Sequence, residues 1–101
     1  MSTGETLETT GIRPISDRHL RRMGATRINA LRTARDLKRR GVISRDDDPK
    51  DIATAIAVEI AANNAEEFEK CAGEDGRDWP SFFKALVEFF TAIMPIIMMF
   101  M

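Results

Sequence analysis

An all-α fold is expected from three observations. Apolar residues recur at helical spacing through three long segments. Each segment opens on helix-start chemistry: Ser16-Asp17, Asp48-Pro49, and Asp78-Trp79-Pro80-Ser81. The last segment is apolar around almost the whole of a helical wheel. Three helices are therefore predicted, at about 17–40, 49–71 and 81–101. A flexible N-terminal arm, residues 1–12, precedes them.

The arm, MSTGETLETTGI, is polar and has no period. Ile12 and Ile15, on either side of Pro14, are placed to pin its end. The first helix puts Leu20, Met23, Ile28, Ala30, Leu31, Ala34 and Leu37 on one side. Its other side carries Arg18, Arg21, Arg22, Arg32, Arg39 and Arg40, with Asn29 and Asp36. Gly41 is the natural residue just past its C-terminus. Gly24 falls inside the pattern, where it costs about 1 kcal/mol relative to alanine and allows a close helix crossing.

Val42 and Ile43 are two apolar anchors in the link that follows. Asp48 caps the second helix, Pro49 takes its first turn, and Asp51 lies near its positive end. Ile52, Ile56 and Ile60 make a ridge, with Ala53, Ala57 and Ala61 as a flat strip beside it. A strip of alanines lets another backbone come close, so this helix is expected at the centre. Its second half, Asn63 to Lys70, is acidic, and Gly73–Gly76 reads as a loop.

The stretch Phe82 to Met101, FFKALVEFFTAIMPIIMMFM, dominates the reading. Lys84, Glu88, Thr91 and Pro95 fall in one narrow stripe, and apolar side chains cover the rest. Such a helix must be enclosed, by protein or by lipid. Twenty residues at about 1.5 Å each reach roughly the 30 Å of a bilayer core. The part after Glu88 reaches only about 20 Å, and the flank before it is acidic rather than basic. Pro95 predicts a kink or a loosened last turn.

At 101 residues, with 44% hydrophobic and 31% charged residues, the chain is one ordinary-composition domain at most. A domain this short buries a modest share of its surface and gains from partners. The net charge of −1 conceals two blocks. Residues 13–45 hold eleven Lys/Arg against two Asp, and residues 46–78 hold eleven Asp/Glu against three Lys/Arg. Blocks of opposite sign invite pairing within the chain or between copies. The organisation is thus an arm (1–12), a charge-segregated helical pair (13–78) and a hydrophobic C-terminal helix for assembly or membrane insertion (79–101).

No catalytic, cofactor-binding or metal residue is nominated. Asp46, Asp47, Asp48 and Asp51 lack the glycine turn and closing glutamate of a calcium loop, so helix capping accounts for them. His19 is the only histidine, which leaves no Ser/His/Asp set to assign. Cys71 is the only cysteine, which excludes an internal disulfide and points to a reducing compartment. No secretory leader opens the chain.

The expected role is a non-enzymatic structural or interaction subunit of a homo-oligomer or larger assembly. Its interface would be Trp79, Phe82, Phe83, Leu86, Phe89, Phe90, Ile93, Ile97 and Phe100. Its partners would be copies of itself or subunits of a larger complex, with no small-molecule substrate. A cytoplasmic location is expected, with membrane association as the variant. Two alternatives stand beside it. One is a tail-anchored membrane protein with a cytoplasmic helical region. The other is a nucleic-acid-binding module using the arginine face of the first helix. The second lacks interleaved aromatics for base stacking and a net basic domain.

Overall fold

A computed structural model describes residues 12–101, and these are all-helical, without strands. Residues 1–11 of the expected arm lie outside them. Among the described residues six helices are found where three were expected: α1 (Asp17–Arg22), α2 (Arg27–Arg39), α3 (Pro49–Asn63), α4 (Ala65–Asp75), α5 (Trp79–Ala92) and α6 (Met94–Phe100). Each expected helix is broken once, and each break has a local cause.

The first break is at Gly24, whose φ is +76°. The Ala25 N–H donates to the Leu20 carbonyl at 2.8 Å, and the Gly24 N–H donates to the Arg21 carbonyl at 3.1 Å. That pair of bonds is the Schellman stop, which needs a left-handed residue. Thr26 then caps α2 by accepting from the Asn29 N–H. Gly24 is therefore a helix stop and not a tolerated interior glycine. Gly41, with φ +79°, ends α2 by the same pair of bonds, as its position predicted.

The second break is at Asn64 (φ −130°, ψ 43°). Its side-chain amide donates to the Ile60 carbonyl, competing with the helix's own backbone bonding. α4 then continues beyond the expected end at Cys71 to Asp75, and Gly76 (φ +87°) stops it. Gly73 to Asp75 are helical, so the expected loop contracts to the residues around Gly76. The third break is at Ile93, just before Pro95, with α5 and α6 bent by 56°. Proline has no N–H to offer the preceding turn and its ring collides with that turn's carbonyl.

The capping residues act as expected at two starts. The Ser16 hydroxyl accepts from the His19 N–H at 3.2 Å, and the Asp48 carboxylate accepts from the Lys50 N–H at 2.9 Å. Asp47 accepts from the Ser44 N–H. These aspartates thus serve the backbone next to them.

α3 is the central helix. Ile52, Ala53, Ile56 and Ala57 are wholly buried, and α2, α4 and α5 all pack on it. Lys50 at the start of α3 pairs with Glu88 late in α5, while residues late in α3 meet the start of α5. The two helices therefore run antiparallel. α6 folds back onto α2. The molecule is 20 Å across its shortest axis, two helix diameters, so the described residues form two layers around one core. Ile15 and the half-buried Ile12 pin the entry to α1 on that core, whereas of the two link anchors only Ile43 is buried.

Candidate functional site

The apolar C-terminal segment is divided between core and surface. Phe82, Leu86, Phe90, Ile93 and Ile97 are buried inside the chain. Phe83 and Phe89 are half-buried, and Trp79 and Phe100 are about half exposed, at 51% and 53%. The chain's own α2, α3 and α4 enclose most of what the helical wheel marked for a partner. Four of the nine nominated interface residues thus remain at the surface: Trp79, Phe83, Phe89 and Phe100. No single described helix is long and apolar enough to cross a membrane; α5 and α6 together meet that test by length and composition, across their bend.

Trp79 and Phe83 form the wall of a groove. One turn apart on α5, their rings stack at 5.4 Å with 3° between planes. Phe68 of α4 meets the Trp79 ring edge-on at 5.5 Å and the Phe82 ring at 5.2 Å. Val58 and a small-residue floor (Ala61, Ala62, Ala65) complete a concavity of about 450 Å³, with Glu69 on its rim. Val58 is 52% exposed, so a large tryptophan face and a valine stand open to solvent across a nearly all-apolar floor. Clustered apolar surface of this kind marks an interaction site more strongly than scattered single residues.

The nominated arginines do not form one stripe, because the Gly24 turn places them on two helices. Arg22 donates to Glu67 at 3.1 Å and to Glu74 at 2.7 Å, joining α1 to α4. These bonds hold the Glu74 carboxyl below its usual range, chiefly through Arg22 and next through His19, and raise the Arg22 guanidinium. Arg40 pairs with Asp36 and with Glu59 of α3, and Arg39 with Asp36. Outside that set, Arg13 pairs with Asp75, and the flanking Arg77 holds the Asp75 carboxyl well down. The opposite charge blocks therefore meet within the molecule. Among the described residues Arg18, Arg21 and Arg32 make no ion pair.

Three cations that sequence reasoning passed over have a distinct task. Arg35 donates twice to the Phe100 carbonyl (2.9 and 3.1 Å), Lys38 to the Met101 carbonyl (3.0 Å) and Arg45 to the Met98 carbonyl (3.1 Å). The last carbonyls of a helix lack internal partners and carry partial negative charge, so cations suit them. α6 is held in place by these donors. Nothing in the sequence marks a backbone carbonyl as a destination, though the spacing of Arg35 and Lys38 by three puts both on one side of α2.

The single cysteine and histidine lie close together without forming a reactive pair. The Cys71 thiol is buried against the His19 carbonyl (3.8 Å), and burial pushes its pKa up, which keeps it protonated and poorly nucleophilic. His19 Nε2 lies 3.2 Å from Glu74, and its Nδ1 is buried with no partner among the described residues. Compared with protein-family models, curated proteins and solved structures, the chain matches none.

Proposed function

We propose that this chain is a non-enzymatic interaction subunit that assembles with copies of itself through the apolar surface left open by its C-terminal third. The groove walled by Trp79 and Phe83 carries the reading: its floor is nearly all apolar, and its largest ring is half exposed. Burying a side chain of this size is worth about 1.5–3 kcal/mol, and aromatic anchors in pockets dominate association energies. The tail-anchored alternative would withdraw α5 from α3 and α4 and α6 from α2, uncovering core residues such as Ile52, Ile56 and Phe68. A nucleic-acid role would rest on Arg18, Arg21 and Arg32, because Arg22, Arg39 and Arg40 already face carboxylates.

Sedimentation velocity in detergent-free buffer tests the reading. A mass rising above the 11.4 kDa of one chain with concentration supports it. A monomer at every concentration overturns it. A chain that leaves the pellet only with detergent, and then partitions into lipid vesicles, supports the membrane-anchored alternative instead.

A further inference from the structure

A second concavity, of about 610 Å³, lies between α2 and α3. Ile28, Arg32, Arg35 and Arg39 form one wall. Their spacing of i, i+4, i+7 and i+11 puts them in a single stripe of α2. Glu59 and Asn63, one turn apart on α3, form the other wall. This cleft has a paired end and a free end. At the paired end Asp36 takes Arg39 and Arg40, and Arg40 also reaches Glu59. At the free end stand Arg32 and Asn63, both exposed, whose side chains make no ion pair or hydrogen bond among the described residues. Ile28 is 70% exposed there, next to the half-buried Leu31.

The charges at the cleft do not cancel. Four arginines (Arg32, Arg35, Arg39 and Arg40) stand against two carboxylates (Asp36 and Glu59). Glu66 and Glu67, just past Asn63, turn to Lys70 and Arg22 and do not line it. The Met101 oxygen is met by Lys38, outside the cleft. Arg35 donates from Nε and Nη2 to the Phe100 carbonyl, which leaves its Nη1 unbonded. A surplus of two positive charges therefore remains, with Arg32 its freest member.

We propose that the free end of this cleft binds the phosphate monoester of a small apolar group. Such a phosphate carries a charge of about −1.5 to −2 at neutral pH, which matches the surplus, and a carboxylate carries half of that. The Arg32 guanidinium presents a planar fork of N–H donors suited to phosphate oxygens. The Asn63 amide is a further donor on the facing wall, and Ile28 with Leu31 offers the apolar group a surface. The cleft shares no residue with the Trp79–Phe83 groove, so this proposal does not depend on the assembly reading.

Titration of the full chain with phenyl phosphate, inorganic phosphate and benzoate, at one fixed protein concentration and followed by amide NMR shifts, tests the site. Phenyl phosphate is expected to saturate, to shift the amides around Ile28, Arg32 and Asn63, and to bind more tightly than either of the other two. Its binding weakens as pH falls through about 6, where the phosphate gains a proton. Arg32→Gln, at an exposed position, weakens it about ten-fold or more. Arg21→Gln, which changes an unpaired arginine of α1, leaves it unaltered. Asn63→Ala, also exposed, takes the place of Arg32→Gln should that variant not fold, and weakens binding in the same direction. Shifts that never saturate, or that spread equally over Arg18, Arg21 and Arg27, mean general attraction to a basic surface and overturn the proposal. It is overturned equally if inorganic phosphate or benzoate matches phenyl phosphate, or if Arg32→Gln binds like the wild type.

Discussion

Gly24→Ala gives opposite signs for a broken and an unbroken first helix. In an unbroken helix, alanine in place of an interior glycine stabilises by about 1 kcal/mol. In this structure Gly24 sits at φ +76° as the stop of α1. An L-residue in the left-handed region costs about 1–2 kcal/mol. The new Cβ would lie 3.4 Å from the Asn64 amide nitrogen, an ordinary contact, so backbone strain dominates and sterics add little. Gly24→Ala is expected to destabilise by about 1–2 kcal/mol, lowering Tm by about 4–8 °C for each kcal/mol. Gly24→Asn, whose side chain tolerates this region, should fall between the two. Urea and thermal unfolding, at one fixed protein concentration and followed by the single tryptophan, measure the effect. A higher midpoint for Gly24→Ala would refute the turn.

Three further outcomes follow from the packing and the charges. Phe68→Ala removes a buried ring that meets Trp79, Phe82 and Phe83; a loss of about 3–5 kcal/mol is expected, read by urea unfolding, and a loss below 1 kcal/mol would contradict its place in the core. Glu74 and Asp75 have folded-state pKa values below their ordinary ones, under Arg22 and Arg77 respectively. The folded chain therefore binds fewer protons than the unfolded one: their stabilisation is present above roughly pH 4–4.5 and lost as pH falls through the lowered values. Urea midpoints from pH 7 to pH 2 should drop over that window, and Asp75→Asn should flatten the drop. Arg35→Ala should raise amide hydrogen exchange in α6 while leaving α3 protected, since two of the donors holding the end of α6 are lost; unchanged exchange would dismiss that clamp.

Much of the helical framework was legible. Ser16, Asp48-Pro49 and Gly41 mark boundaries by mechanisms that act within a few residues, and the structure has them as read. The ridge of Ile52, Ile56 and Ile60 with its alanine strip identified the central helix, because small side chains let neighbouring backbones come close. The breaks were harder. A glycine inside a periodic pattern is tolerable at about 1 kcal/mol. Only the combination of Gly24 with the cap residue Thr26 signals a stop and a restart. Asn63-Asn64 offered a similar weak signal through side-chain competition for the backbone. Pro95 was legible because its chemistry permits nothing else.

The surfaces were legible in kind but not in extent. A helix apolar all round must be enclosed, but its wheel does not say by whom. The answer depends on how far the chain's own alanine-faced α3 covers it, a property of tertiary packing. The result divides one run of sequence into a buried wall at Phe82, Leu86 and Phe90 and open patches at Trp79 and Phe100. The charge blocks announced pairing. Which arginine would find a carboxylate, and which a backbone carbonyl, depended on the folding back of α6.

The single tryptophan lies in the groove, so its emission reports directly on whether that groove is filled. Fluorescence of the wild type should shift to shorter wavelength as concentration rises and sedimenting mass grows, and Val58→Arg should abolish both changes together. A spectrum that stays constant while the mass rises would show that assembly uses some other surface.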